Sequence, residues 1–166
     1  MIKENFIKLY ETSFRENWDL PSVSDYGTDQ VFFFCDVAEE VARLHIVLEQ
    51  CGVKKGDKVA LVGKDCARWC IAYMATITYG AVIVPILQDF NPNDIHHIIN
   101  HSESVVLFVS DRIWDTLEEE KIPDVQVAFS LTDFHCILRR EGMPSRLRRE
   151  DVDVLMARKY PAGFTK

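Results

Sequence analysis

Four short apolar runs recur along this chain, and their spacing limits its fold more than any other feature. The runs lie near residues 59, 82, 105 and 126, with helix-like segments between them. Parallel strands need a crossover of a dozen or more residues, usually a helix, so this spacing predicts βαβ units. The runs VALVG, AVIVPI and SVVLFVS are apolar on both faces, as in a sheet covered by helices. The sequence therefore predicts an α/β fold with a doubly wound, mainly parallel sheet and helices on both faces.

Helix signals fill the intervals between these strands. The predicted helices cover residues 2–15, 36–51, 66–79, a segment from Pro92, 111–121 and, as a short helix, 131–140. The best-marked one has Asp36 as its N-cap, Glu39 three residues later and Gly52 as its stop. Segment 17–30 is predicted to be a loop, and VFFF at 31–34 a short strand.

Gly80 and Pro85 delimit the strand at 81–86. Gly80 lets the chain leave a helix with positive φ and turn tightly into the strand. Pro85 lacks an N–H, so it is expected where the strand loses its ladder partner. It marks the carboxyl end of the strand, and open α/β sheets place their ligands at that edge. Functional residues are therefore expected in the loops that follow the strands.

Composition restricts the classes of function. The chain has 166 residues, enough for one domain with a core, and a formal net charge of −7, which disfavours nucleic acid as a partner. Its five cysteines form no Cys-x-x-Cys pair, which favours reduced thiols and a cytoplasmic location over disulfides or a zinc site. The N-terminus is too charged for a signal peptide, and no apolar run is long enough for a transmembrane segment.

The chain is predicted to divide near residue 140. Residues 1–140 would form the α/β unit, and 141–166 a charged linker with one helix near 148–159 that leads to a further part of a larger protein. A basic cluster lies at this boundary. We expect its interleaved acidic residues to make it a solvated linker, with contact to an anionic membrane surface or to a phosphate-bearing ligand as the alternative. The cluster consists of Arg139, Arg140, Arg146, Arg148 and Arg149.

Several familiar motifs are absent. VGKD at 62–65 resembles the end of a P-loop, but Lys58 stands where that motif needs glycine and Asp65 where it needs Ser or Thr. No Gly-x-Gly-x-x-Gly occurs, and no nucleophile is flanked by glycines. His97 and His101 are four residues apart with Asp94 nearby, so they could bind a metal ion from one face of a helix. No further potential ligand stands at a spacing typical of a metal site. We therefore predict no metal site and no catalytic residue in this chain.

Three stretches together resemble the N-terminal region of adenylate-forming enzymes, and most of all AMP-forming long-chain fatty-acid–CoA ligases. They are VFFFCDVAEEVARL, then GVKKGDKVALVGKDCARWCIAYMATITYGAVIVPI, then NPNDIHHIINHSESVVLFVS. Each is weakly diagnostic alone, whereas their order and spacing are specific. The resemblance covers about residues 1–135.

The resemblance implies a two-step reaction for a full-length parent. A carboxylate attacks the α-phosphate of ATP to give an acyl-adenylate and pyrophosphate, and the thiol of coenzyme A then displaces AMP. It implies ATP, Mg²⁺, coenzyme A and a fatty acid as the parent's cofactors and substrates. The family's Ser/Thr/Gly-rich phosphate loop and C-terminal lysine are not found here, so the chain alone is expected to be inactive. The resemblance also allows a homodimer, whereas a peripheral membrane contact rests on the basic cluster alone.

The resemblance further implies a coenzyme A site made by the loop after the Gly-Ala-x-x-x-Pro strand and by a basic residue after the next strand. Here these positions hold Gln88 and Arg112, which are suitable hydrogen-bond donors. The alternative is that Arg112 pairs with Asp115 or Glu118 on its own helix. Two other functions stay open: a free-standing flavodoxin-like or receiver-like binding module, and a dimerisation domain that uses the N-terminal helix and the aromatic strand at 31–34.

Overall fold

The computed structural model describes residues 5–144 and 147–166. The helices are α1 (Phe6–Glu16), α2 (Phe34–Gln50), α3 (Ala67–Tyr79), α4 (Pro92–Ser102), α5 (Asp111–Trp114) and α6 (Arg149–Lys159), with a 3₁₀ turn at Glu119–Lys121. The strands are β1 (Pro21–Ser24), β2 (Val31–Phe33), β3 (Lys58–Val62), β4 (Val82–Ile86), β5 (Ser104–Val109), β6 (Val127–Ser130) and β7 (Cys136–Arg139). Ile2 and Arg146, which belong to the predicted first helix and the basic cluster, lie outside the described residues.

A five-stranded sheet in the order β4-β3-β5-β6-β7 forms the centre of the structure. The pairs β3–β4, β3–β5 and β5–β6 are parallel, and β7 joins β6 antiparallel. The chain starts the sheet at β3, adds β4 on one side and then continues on the other side. The α/β fold with a mainly parallel, doubly wound sheet is thereby confirmed.

Two apolar layers lie on the two faces of the sheet. One contains Leu61, Phe108 and Phe129 from the strands, packed with Leu48 of α2 and Ile71 of α3. The other contains alternate strand residues, such as Val62 and Leu107, with Ile95 and Ile99 of α4. Since residues on both faces are buried, β3 and β5 have no polar alternation.

The turn from α3 into β4 has the predicted form. Gly80 has a φ of 94°, and its N–H donates to the carbonyl groups of Thr76 and Ile77 at the helix end. Strand β4 is an edge strand, with Pro85 in register with Leu61 of β3. An edge strand has a free side, so the missing N–H of Pro85 leaves the ladder intact.

The short helix predicted over 131–140 is wrong. Residues 136–139 form strand β7, which pairs with β6 through a tight turn in which Phe134 has a φ of 63°. The amide of Ser130 donates to His135 O at 2.9 Å and closes the turn. A run of three apolar residues, Cys136 to Leu138, is too short to show a periodicity, so its pairing with β6 decides its conformation.

Three other predicted elements differ from the structure. The loop predicted over 17–30 contains β1, which forms a hairpin with β2. Helix α2 begins at Phe34, so Asp36 is its third residue, not its N-cap, and its carboxylate accepts from the N–H of Phe33 at 2.8 Å. The helix predicted over 111–121 ends at Trp114, and the chain after it is held by side chains of other elements.

The tail contains the predicted helix, as α6. Val152 and Met156 are buried in the core layer that includes α2. Arg43 of α2 forms an ion pair with Asp153, and Glu40 forms one with Arg149 at 2.6 Å. The tail therefore contributes packing to the α/β unit, while the division at residue 140 stays a prediction.

Candidate functional site at the carboxyl edge of the sheet

The parallel strands β4, β3, β5 and β6 all end at the same edge of the sheet. Because β4 and β5 lie on opposite sides of β3, the chain reverses its direction of travel across the sheet there. Doubly wound sheets bind ligands in the crevice at such a reversal, outside the carboxyl ends of the strands. The candidate site is therefore formed by the loops that follow these four strands.

Gly63, directly after β3, lets the neighbouring loops close over the middle of this edge. A Cβ at Gly63 would lie 2.6 Å from Leu131 Cδ1 and 3.4 Å from Ser110 Cβ. The amide of Ser110 donates to Val62 O at 3.1 Å, and that of Leu131 donates to Val109 O at 2.9 Å. The loops after β3, β5 and β6 are thus hydrogen-bonded or packed in direct contact, which makes the edge a defined surface.

A carboxylate joins two of these loops. Asp111, the first residue of α5, accepts from Ser130 Oγ at 2.5 Å and from Thr132 Oγ1 at 2.7 Å. These two hydroxyl donors hold the pKa of Asp111 below its usual value, so the carboxylate stays ionised near neutral pH. Sequence reasoning missed this cluster. The available signal was the polar residues Ser110, Asp111 and Ser130, which directly follow apolar strand runs.

The N-terminus of α3 is occupied by a side chain of the β1–β2 hairpin. Asp25 Oδ1 accepts from the backbone N–H of Ala67 at 2.6 Å, and Cys66 Sγ accepts from that of Trp69. In P-loop proteins the corresponding N–H groups, after the first strand, bind phosphate. In this chain the carboxylate of Asp25 takes that position at the N-terminus of α3, and no P-loop motif occurs at 62–65. The contact spans 42 residues and has no local sequence signal.

The two predicted coenzyme A residues lie on this edge, on either side of β3. Gln88 is exposed in the turn after β4, and Arg112 is exposed on α5, directly after β5. Because β3 lies between their strands, the strand ends are about 10 Å apart. Within the described residues Arg112 forms no ion pair with Asp115 or Glu118, and Glu118 pairs instead with Lys121 at 2.6 Å. The guanidinium of Arg112 is therefore available to an anionic ligand.

Covalent and metal chemistry are weakly supported in the described residues. Burial raises the pKa of the Cys51 thiol to about 12, and it also raises the pKa of Cys70 and of Cys136. All five cysteines are free. The rings of His97 and His101 stack with centroids 5.8 Å apart, and no group of three metal-ligating side chains occurs within residues 5–144 and 147–166. At the carboxyl edge of the sheet, the exposed side chains of Gln88 and Arg112 can donate hydrogen bonds to an anion.

Two concavities lie away from the switch point. A cleft of about 820 Å³ lies between α2, β7 and the start of α6, lined by apolar and arginine side chains such as Leu44 and Arg139. An apolar groove of about 290 Å³ separates α1 from α2 and α3. Among the helices of the described part of the chain, none combines the length and the apolar character needed to cross a membrane.

Comparison with known proteins gives one family match over most of the chain. The sequence model of a family described as AMP-binding enzyme matches residues 11–157. The crotonobetaine/carnitine–CoA ligase of Proteus mirabilis (strain HI4320) is 28% identical over 123 residues, which cover 72% of this chain and 24% of that protein. Long chain acyl-CoA synthetase 5 of Arabidopsis thaliana is 31% identical over 90 residues, or 54% of this chain and 12% of that protein.

Solved structures show the same fold. The crystal structure of the anthranilate CoA ligase AuaEII in complex with anthranoyl-AMP superimposes with a TM-score of 0.72 at 19% identity. The match covers 86% of this chain and 30% of that one. Coronafacic acid ligase from Pectobacterium brasiliense, as its R395G mutant, gives a TM-score of 0.73 at 15% identity. The chain spans from about an eighth to a quarter of the length of the two curated relatives above.

Proposed function

Because this chain belongs to the AMP-binding enzyme family, we propose that it forms the N-terminal α/β part of an acyl-CoA ligase. The parent would activate a carboxylic acid with ATP to an acyl-adenylate, release pyrophosphate, and transfer the acyl group to coenzyme A. The family match over residues 11–157 carries this proposal, because it includes all five strands of the central sheet. Relatives named as CoA ligases support the reaction class.

We propose a long-chain fatty acid as the substrate of the parent. Support comes from relatives that carry this name, among them a long-chain-fatty-acid–CoA ligase of Yersinia pestis that is 25% identical over 139 residues. Relatives that act on other acids are similar to the same degree, as the name of the Proteus ligase shows. The chain length of the acid is therefore the part of the proposal that depends most on experiment.

In the parent, the chemistry would depend on groups outside these 166 residues. ATP would supply the adenylyl group, and Mg²⁺ would neutralise phosphate charge on ligands that the parent provides elsewhere. The sequence contains no Ser/Thr/Gly-rich phosphate loop, so the chain alone would not form an acyl-adenylate. Its contribution would be the folded sheet and the carboxyl edge that faces the nucleotide.

At that edge we propose that Arg112 and Gln88 bind the nucleotide end of coenzyme A. Arg112 is exposed and has no ion pair in the described part of the chain, so its guanidinium can donate to phosphate oxygens. Gln88 can add an amide donor, although Asp89 next to it brings a negative charge to the same turn. Arg112 would therefore supply most of the electrostatic attraction.

A calorimetric titration of coenzyme A into the 166-residue protein tests this site. Replacement of Arg112 by Ala should weaken binding by about tenfold, the loss expected for one charge-assisted contact of about 1.4 kcal/mol. The matched control is Arg158→Ala on α6, which removes the same charge from an exposed position away from the edge and should leave the affinity unchanged. Equal affinities for wild type and R112A would remove Arg112 from the site.

The strand order itself favours a second candidate. With β3 counted as the first strand, the order is 2-1-3-4-5, the order of flavodoxin-like binding modules. Such a module would bind its ligand at this edge without a further domain. Titration of FMN into the same protein distinguishes the two, because a flavodoxin-like module binds the flavin whereas a ligase subdomain does not.

A further inference from the structure

The segment between α5 and β6 is mostly irregular, and side chains from other elements hold its backbone. Asn100 of α4 donates from Nδ2 to Lys121 O at 2.7 Å. Arg140, after β7, donates to the carbonyl oxygen of Glu119 at 2.9 Å. His96 of α4 makes the third contact, because its Nε2 accepts from the backbone N–H of Glu118 at 3.0 Å. Residues 115–121 are thus held to the rest of the fold by these three side chains, in addition to the turn hydrogen bonds within the segment.

The contact with Glu118 determines the protonation state of His96. A backbone N–H can only donate, so Nε2 must carry a lone pair and the single ring proton of neutral imidazole must lie on Nδ1. His96 is only 4% exposed. Its Nδ1 is buried and has no hydrogen-bond partner among the described residues. The ring is therefore held in one tautomer by one hydrogen bond.

Protonation of this ring is incompatible with the contact. A second proton on Nε2 would point at the N–H of Glu118, so two donors would face each other. The charged groups that act on His96 belong to the same segment: Lys121 disfavours the imidazolium ion, and Glu118 favours it. Strands β4 and β5, against which α4 packs, contain no titratable side chain. On α4 itself Asp94, His97 and His101 are the other titratable groups.

We propose that His96 is a positioning residue that holds the backbone of segment 115–121 at Glu118 against α4 only while its ring is neutral, so that acid opens this contact. The segment directly follows α5, which carries Arg112. Opening of the contact would therefore make the position of Arg112 less fixed and weaken the binding of coenzyme A. This consequence rests on the proposed coenzyme A site. The anchoring itself rests only on the geometry of His96 and Glu118.

The direction of the pH effect follows from burial. Burial, and secondarily the charge of Lys121, lower the pKa of His96 from its usual value near 6.5. A histidine with a lowered folded-state pKa stabilises the fold fully above its unfolded pKa. That stability is lost as the pH falls from about 6.5 through the lowered value. The anchor should hold at neutral pH and open on mild acidification.

Amide hydrogen exchange at Glu118, followed by NMR on the whole 166-residue protein, tests the proposal. After correction for the intrinsic exchange rate, protection of this amide should fall by up to about tenfold for each pH unit between about 6.5 and the lowered pKa of His96, and should level off below that pKa. Amides within β5 should keep their protection over the same range, because local opening leaves the core intact.

Three variants separate anchoring from a general packing role. His96→Gln keeps an acceptor near the position of Nε2 but cannot titrate, so protection of Glu118 should persist and lose its pH dependence. His96→Leu removes the acceptor and should expose the amide at every pH. His97→Gln, at an exposed neighbouring position, should behave as wild type. The proposal is overturned if H96Q retains the wild-type pH dependence, or if protection of Glu118 in the wild type does not change with pH.

Coenzyme A affinity, measured at pH 7.5 and 5.5, tests the link to Arg112. In the wild type the affinity should fall at the lower pH, and in H96Q it should fall less. If exchange at Glu118 follows the prediction but neither protein binds coenzyme A, the anchoring stands and the proposed site fails. If coenzyme A binds but H96Q retains the wild-type pH dependence of exchange, the site stands and the anchoring fails.

Discussion

At the scale of single residues, the absence of a side chain at Gly63 lets three loops meet at the carboxyl edge. Leu131 and Ser110 approach the position that a Cβ would occupy, and their amides bond to the ends of β5 and β3. Asp111 then joins the loops after β5 and β6 through two hydroxyl groups. Two features therefore hold the loops of this edge together: the close approach of Leu131 to Gly63, and the ionised carboxylate of Asp111. Arg112 is the next residue in the sequence after Asp111.

Replacement of Gly63 by Ala should destabilise the protein by about 1–3 kcal/mol, because the added methyl group overpacks a contact with buried Leu131. Gly63 does not have a left-handed φ, so the cost is steric. Urea denaturation measures the free energy of unfolding. In a Leu131→Ala background the same substitution should cost much less, since the side chain in the way is gone. Equal costs in both backgrounds would contradict this account of the contact.

At the scale of elements, the strands that are apolar on both faces could be predicted from sequence. Elements whose conformation depends on contacts with residues far away in the sequence could not. The runs at β3, β4 and β5 are apolar on both faces, and α4 begins at Pro92 after Asn91, as the capping pattern indicates. Strand β7 has a run of four residues whose conformation is fixed by β6, which no local pattern encodes. The chain after α5 is likewise held at residues 118–121 by His96, Asn100 and Arg140, which lie elsewhere in the sequence.

The candidate site divides in the same way. Its place, at the carboxyl ends of the strands, follows from the order of elements, and so do the positions of Gln88 and Arg112 in the loops after β4 and β5. The bond between Asp25 and Ala67, and the cluster around Asp111, join segments about 20 to 40 residues apart. Such contacts depend on tertiary packing, so sequence spacing alone does not predict them.

Helix α6 offers a test at the same scale. Met156 is 6% exposed and packs into the layer that contains α2, whereas Val154 on the same helix is 52% exposed. Met156→Ala should lower the free energy of unfolding by about 2–4 kcal/mol, and Val154→Ala by about 0.5 kcal/mol or less. Urea denaturation, followed by fluorescence, provides both values. If the two variants were equally stable, α6 would not be part of the cooperative unit and the tail would behave as a linker.

At the scale of the whole molecule, the described residues form one α/β unit in which the loops after the parallel strands meet at one edge of the sheet. The family match covers residues 11–157, and the fold superimposes on 30% of the chain of the anthranilate CoA ligase AuaEII. In the division of labour that we propose, the sheet would supply an edge with donors for coenzyme A, and other parts of the parent would supply the phosphate loop, the metal ligands and the catalytic lysine.

The most direct measurement is the exchange of labelled pyrophosphate into ATP that requires an added carboxylic acid. It is made in parallel with two polypeptides. One is the 166-residue chain, and the other is the product of the reading frame continued beyond Lys166. We predict exchange by the longer polypeptide only, greatest with long-chain fatty acids in a series of acids of different length. Exchange by the 166-residue chain alone, or none by the longer polypeptide with any acid, would contradict the assignment of this chain to the N-terminal part of an acyl-CoA ligase.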